Sequence, residues 1–199
     1  MILCCTKGFP SSGKEANLTP LSTYTKNIIS CNNNSSHSCI GYSPTPDPYV
    51  TVNIPTDNTL IQNVIEHEFN TETLIMDWKC NRCGHMGGTK RKFVQDTFVP
   101  DFILVKLKRY DISMTGQTYK VNRAVIPPLG FTLQTDESLA HPFSLHGVLS
   151  HIGTQVTSGH YISEIKMGED WWTCNDSTIS KTTFENLSKQ AYAFLFKKL

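Results

Sequence analysis

Two groups of residues in this sequence have the side chains and spacing to do chemistry. The first is Trp78-Lys-Cys80-Asn-Arg-Cys83-Gly84-His85. A two-residue gap lets both sulfurs reach one ion, and the glycine admits the positive φ that so tight a turn needs. One such knuckle supplies two ligands, so a closed tetrahedral Zn²⁺ site requires two more. Cys31 and Cys39 are the candidates, with His37 and His85 as substitutes. A second reading stays open, because Cys31 and Cys39 are separated by seven residues rather than two. It is a degenerate ribbon whose remaining cysteines are ordinary turn and core residues. A redox pair fits less well, since no βαβ pattern surrounds Cys80 and Cys83. Zinc held there would be structural, tying two β-hairpins together, because a closed thiolate shell leaves no position for substrate. No cofactor is expected for catalysis.

The second group is Gly159-His160-Tyr161 together with Trp172-Thr-Cys174-Asn175-Asp176. If Tyr161 to Lys166 and Trp171 to Asp176 form a hairpin around the loop 167–170, Lys166 faces Trp171 and Ile162 faces Asn175. His160 then projects to the same face as Asn175, as its diagonal neighbour at about 7–8 Å between backbones. An imidazole oriented by a carboxamide is two thirds of a Cys-His-Asn group, in which the base activates a thiol and the amide holds its tautomer. Gly159 would let a substrate backbone come close. The competing interpretation is a core histidine satisfied by a neighbouring amide.

The elements that must position these groups read mainly as strands. Residues 1 to about 48 are rich in Ser, Asn, Thr and Pro, and the prolines of Ser43-Pro-Thr-Pro-Asp-Pro48 exclude helix interior. One strand, Tyr24 to Ser30, is expected there. Tyr49 to Ile54 alternates apolar and polar side chains and stops at Pro55, the pattern of a half-buried strand. Asp57 or Asn58 can cap a short helix carrying Leu60, Ile61, Val64 and Ile65. Further strands are expected over Phe102 to Tyr110, Phe143 to Leu149, Tyr161 to Lys166, Trp171 to Cys174 and Ala191 to Phe196. With so few helices to close parallel crossovers, the fold class is α+β, mostly antiparallel β.

Composition narrows the partners. The 199 residues are 39% hydrophobic and 18% charged, with a formal net charge of +1. That excludes a disordered polar tail, and it gives no electrostatic reason to expect a nucleic acid or a membrane surface as partner. The first residues carry no charged region followed by a sustained apolar core, and no stretch approaches bilayer-spanning length. An intracellular location, cytoplasmic or nuclear, is expected. Seven cysteines at irregular spacing do not form a secreted disulfide framework.

Several ordered motifs carry a resemblance. Phe143-Ser-Leu145-His-Gly-Val-Leu-Ser-His151-Ile-Gly153, then Gly159-His160-Tyr161, Trp172-Thr-Cys-Asn175-Asp176-Ser177 and Ala191-Tyr192-Ala-Phe-Leu-Phe196, resemble the histidine box of the ubiquitin-specific proteases, a family of cysteine deubiquitinases. Trp78-Lys-Cys80-x-x-Cys83-Gly resembles the second knuckle of that family's zinc-ribbon fingers. Val99-Pro-Asp-Phe-Ile-Leu-Val-Lys-Leu-Lys-Arg109-Tyr110 resembles its Leu-Pro-x-x-Leu-Ile-x-x-Leu-Lys-Arg-Phe strand.

The resemblance implies a papain-like palm sheet with zinc-ribbon-like fingers, and hydrolysis of the bond after the C-terminal Gly-Gly of ubiquitin. His160 maps onto the general base, Asn175 onto its orienting residue and Asp176 onto an auxiliary position. Gly159 and Tyr161 border the substrate, and the loops Ile112 to Lys120 and Ile152 to Ser158 flank the narrow channel for the tail. The implied organisation is an unstructured remnant over 1–21, fingers over 22–92 including the short helix, and palm over 93–199. Ubiquitin or ubiquitinated proteins are the implied partners, and Cys31, Cys39, Cys80 and Cys83 the implied zinc ligands.

The sequence departs from the family in the Cys31 to Cys39 spacing and, above all, at the nucleophile. Its nucleophile belongs to a Gly-Asn-Thr-Cys-Tyr-like box in a helical thumb, and these residues contain no such box. Cys4 and Cys5 lack its context, while alternation turns Cys174 away from His160 and marks it as a packed thiol. A partial domain with the thumb missing is therefore expected, a fragment or a natural truncation, inactive by itself. The alternative is a catalytically dead ubiquitin-binding module or decoy.

Overall fold

The computed structural model describes residues 25–33, 38–39, 49–56, 59–69, 72–94, 99–135, 139–155 and 158–199. In chain order these form β1 (Thr25–Cys31), β2 (Ser38–Cys39), β3 (Val50–Asn53), a helix α1 (Ile61–Phe69), and β4 (Glu72–Lys79) and β5 (Met86–Val94) on either side of the cysteine knuckle. Next come β6 (Phe102–Lys108), a small hairpin of β7 (Tyr110–Ile112) and β8 (Thr118–Lys120), and β9 (Gly130–Gln134). The chain ends with β10 (Ala140–Ile152), β11 (His160–Met167), β12 (Asp170–Asn175), β13 (Thr178–Thr182) and β14 (Ala191–Lys198). The described residues are thus mostly β with one α-helix, and residues 1–21 and the capping candidates Asp57 and Asn58 lie outside them.

The strands build two main sheets. The smaller runs β2-β1-β5-β4; the larger runs β13-β12-β11-β10-β14-β6-β3, with β9 also on β10. β10 is long enough to pair with β14 along one edge and to divide its other edge between β9 and β11. All pairings within the two sheets are antiparallel except β3 with β6, where Val50 lies opposite Val105.

The expected division places the segment carrying β3 and α1 with the fingers over 22–92; in the structure β3 closes one edge of the large sheet and α1 packs beside it. A parallel pair needs a long crossover, and the connection from β3 to β6 runs through α1 and the small sheet. The side chains explain the placement. Val50 and Val52 bury one face of β3, and Ile61, Ile65 and Phe69, spaced four apart, bury one stripe of α1. Phe131 on β9 joins helix to sheet. Its ring stacks on Phe69 at 5.7 Å and on Phe143 at 5.3 Å, and meets Phe196 edge-on at 4.9 Å. Glu66 on α1 also accepts the Thr132 N–H at 3.1 Å, fixing the helix against β9.

The strand expected over Phe102 to Tyr110 is interrupted at Arg109, which is fully buried. Its guanidinium donates to the carbonyls of Ala191 (2.5 Å), Arg123 (2.8 Å), Val121 (3.0 Å) and Lys189 (3.3 Å). A buried cation must be satisfied by acceptors, and these four carbonyls lie on the segment after β8 and on the approach to and first residue of β14, which Arg109 pins to the end of β6. Burial pulls its pKa below the usual guanidinium value. Glu164 secures the same region from the other side, taking the Ser188 N–H on both carboxylate oxygens at 3.0 and 3.1 Å.

Candidate active site

The hairpin of β11 and β12 has the register that the alternation predicts. Lys166 pairs with Trp171, Ser163 with Cys174, and the turn is only Gly168–Glu169 because Met167 also pairs with Asp170. On its other edge, β11 pairs His160 with Ile152 of β10. His160 and Asn175 therefore emerge at the same end and on the same face of the sheet. The His160 Nε2–H donates to Asn175 Oδ1 at 2.5 Å. With that nitrogen protonated, the lone pair resides on Nδ1, the tautomer a base needs if it is to take a proton from the opposite side of the ring. The His160 side chain is 46% exposed, so that opposite side is open to approach.

Asp176 plays a smaller part. Its Oδ2 lies 4.0 Å from the same nitrogen, outside hydrogen-bond range. Its φ of 51° places it in the left-handed region within the tight turn between β12 and β13, a conformation aspartate tolerates. Tyr161 points to the opposite face from His160, packs tilted against His151 at 4.7 Å and meets Tyr192 edge-on at 6.1 Å. Cys174, opposite Ser163, also faces away from His160, while Cys4 and Cys5 lie outside the described residues.

Gly159 is fixed by close packing. A Cβ built on it would stand 2.2 Å from Nε2 of His151 and 2.6 Å from the Ile152 carbonyl oxygen, so no larger residue fits without moving the strand that carries His160. His151 is 3% exposed, and burial, reinforced by Lys120, pulls its pKa below the ordinary histidine value. Its Nδ1 makes no hydrogen bond within the described structure. No sequence motif singles out this buried imidazole or Lys120, whose ammonium donates to the His151 carbonyl at 2.7 Å and to the Gly153 carbonyl at 2.5 Å.

The cysteine group is assembled by a different sheet. Antiparallel pairing of β1 with β5 places Cys31 opposite Gly88 and beside the knuckle. The knuckle turn closes through Gly84 N–H to the Cys80 carbonyl at 2.9 Å and Cys80 N–H to the His85 carbonyl at 2.8 Å, with Gly84 at φ 71°. The sulfurs of Cys31, Cys80 and Cys83 all lie within 4.8 Å of one another, and Cys31 and Cys83 are 3.6 Å apart. A tetrahedral Zn²⁺ with bonds of about 2.3 Å separates its sulfurs by about 3.8 Å, so three of the four expected ligands fit one ion. At Cys31 the Asn33 backbone N–H lowers the thiol pKa, but burial and the neighbouring Cys83 and Cys80 thiols outweigh it and push it up to about 11. That crowding is relieved when a cation takes up the thiolates. The backbone of Cys39 pairs with Ile29 on β1; the placement of its side chain, and all of His37, fall outside the described residues.

Comparisons with known proteins converge on one family. The family model for ubiquitin carboxyl-terminal hydrolase matches residues 19–196. Probable ubiquitin carboxyl-terminal hydrolase 8 of Schizosaccharomyces pombe is 24% identical over 176 residues, which are 86% of this chain and 36% of that protein. Ubiquitin carboxyl-terminal hydrolase 12 of Salmo salar is 26% identical over 183 residues, again 86% of this chain and 49% of its own length. The fold is shared with the SAGA DUB module of Ubp8, Sgf11, Sus1 and Sgf73 bound to monoubiquitin. There the TM-score is 0.78 at 21% identity, over 96% of this chain and 44% of the other. The same module bound to ubiquitin aldehyde gives a TM-score of 0.75 over 91% of this chain. The chain spans between about a quarter and a half of the length of these curated relatives and of a second S. pombe relative, probable hydrolase 4.

Proposed function

This chain belongs to the ubiquitin carboxyl-terminal hydrolase family, the family of the ubiquitin-specific proteases, and from that premise we propose that it is the base-bearing part of a deubiquitinase catalytic domain. His160 is the general base, Asn175 holds its tautomer, and Asp176 contributes charge nearby without a direct bond. Nδ1 of His160 takes the proton of a thiol as the sulfur attacks the carbonyl carbon of ubiquitin's terminal glycine, and returns it to the departing lysine amine. Water deprotonated by the same nitrogen then splits the thioester, leaving a carboxylate and the regenerated thiol. The thiol belongs to a Cys box that these 199 residues do not contain. The observation that carries this reading is the bond from Nε2–H to Asn175 Oδ1, which leaves the basic nitrogen pointing away from its orienting partner.

By itself the chain binds ubiquitin without cleaving it. Cys31, Cys80 and Cys83, with Cys39 as the fourth ligand, hold a structural zinc that braces the small sheet. A ubiquitin bearing a C-terminal electrophile tests the division of labour: it should bind in a titration and form no covalent adduct. An adduct at any cysteine of this chain would overturn the missing nucleophile, and absence of binding would overturn ubiquitin as partner. Joined behind a thumb that carries a family Cys box, the chain should hydrolyse a ubiquitin amide, and His160→Ala should then slow turnover by at least about 100-fold. Unchanged turnover would reject His160 as the base. The second reading is a ubiquitin-binding module that never receives a thiol; it predicts no hydrolysis even after the joining.

A further inference from the structure

The geometry points to Lys120 as a positioning residue that locks together the two loops beside the His160 end of the sheet and so sets where that imidazole stands. The inference rests on the proposed function for the identity of the tail channel, but its structural half does not. Lys120 closes the β7–β8 hairpin and is 7% exposed. Its ammonium reaches out of that hairpin to two carbonyls on the end of β10, His151 at 2.7 Å and Gly153 at 2.5 Å. Both described partners are carbonyls rather than carboxylates. Desolvation, and the Arg109 charge behind it, lower the Lys120 pKa. Keeping a cation there has a cost that the two carbonyl dipoles must offset, so they are drawn tightly onto it.

The two carbonyls are the ones that control His160. Gly153, at φ 133°, lies against the far end of its own loop: a Cβ there would be 3.1 Å from the Gly159 Cα and 3.2 Å from the Ser158 carbonyl oxygen. His151 packs its ring against Gly159 from the other side. Gly159 is thus in close contact with two residues whose backbones Lys120 holds, and the next residue is His160. One ammonium ties the end of the 110–120 hairpin to His151 and Gly153, and through their contacts with Gly159 it sets the direction of the base.

Lys120→Met tests this, because it keeps an unbranched side chain of similar reach and removes the donors. Two readouts on the chain as it stands separate positioning from general stability. By NMR, the ring resonances of His160 should move while those of the equally surface-placed His85, on the small sheet, stay fixed. In titration, affinity for intact ubiquitin should fall about tenfold or more, the size of a lost charge-assisted hydrogen bond. Affinity for ubiquitin lacking its last two residues should not change. Unmoved His160 resonances, or an equal loss for both ubiquitins, would overturn the proposal. If the unsubstituted chain binds neither ubiquitin, the proposed function fails, and the NMR arm alone decides the clamp. Should the Met variant fail to fold, Lys120→Gln decides. Its carboxamide sits on a side chain too short to reach both carbonyls that the ammonium joins, so His160 must move; wild-type resonances in that variant would reject the clamp.

Discussion

Along β6 in the large sheet, Ile103, Val105 and Leu107 are all buried at alternate positions, whereas no residue of β4 in the small sheet is buried. Leu74 and Met76 stand out into solvent there, and the buried positions around the knuckle are Cys80, Gly87 and Gly88. The large sheet is thus held by apolar packing that closes on α1 and Phe131. The small sheet has backbone pairing and three converging thiols but little core of its own. A sheet without a core needs another source of free energy, and a structural zinc contributes on the order of 10 kcal/mol at neutral pH. The contrast teaches that the two regions should fail separately.

The sharpest way to break that contrast is to disable the proposed zinc site. Cys80→Ser, or a strong chelator, should abolish stoichiometric zinc in the purified protein. Amide exchange should accelerate by orders of magnitude over β1, β4 and β5 and stay slow over β10 and β14. A folded small sheet without metal would show that backbone pairing alone suffices. On the other side of the contrast, Phe131→Ala empties the centre of a four-ring cluster and should cost about 3–5 kcal/mol in a denaturant titration of the large sheet. Zinc content should be unaffected. Loss of zinc in that variant would mean the two sheets are one cooperative unit.

What the sequence revealed follows the same divide between local and distant contacts. The β11–β12 hairpin was legible because its strands adjoin and period-two alternation specifies which residues share a face, so the meeting of His160 with Asn175 needed only a count along the ladder. Cys80 and Cys83 were legible for the same reason. The edge position of β3 was not, since Val50 and Val52 alternate identically whether their partner runs parallel or antiparallel and that partner lies beyond α1 and the small sheet. The β7–β8 hairpin read as a loop because its strands are only three residues each. Lys120 follows two exposed residues, Thr118 and Tyr119, and nothing in a lysine's surroundings in sequence says that its ammonium will be buried on two carbonyls.

A smaller effect comes from two histidines of β10. His151 is buried with its pKa lowered by desolvation and by Lys120, so below the ordinary value of 6.5 the unfolded chain takes up a proton that the folded protein refuses. Unfolding free energy should therefore fall as pH drops from about 6.5, with full stability above that value. His146, lowered by burial and by Lys197 and Lys166, adds to the same slope. Replacing His151 by Gln should remove its share of the pH dependence in denaturant titrations between pH 7 and 5. An undiminished slope would assign the effect to His146 alone.

The smallest expected change in stability belongs to the residue pair that matters most for chemistry. Asn175 is exposed at the end of β12, so Asn175→Ala should alter stability by no more than about 0.5 kcal/mol. Its effect should appear in the imidazole of His160, which loses the acceptor that holds the proton on Nε2. Nitrogen NMR of the ring should show one protonated and one unprotonated nitrogen in the unsubstituted protein, and two partly averaged nitrogens in the Ala variant. Asn175→Asp, which keeps an acceptor at the same place, should restore the single tautomer. If the ring keeps one tautomer in the Ala variant, something other than Asn175 orients it, and Asp176, now 4.0 Å away, becomes the group to remove next. The pair would then be a turn and its neighbour, held together by the sheet rather than for the proton.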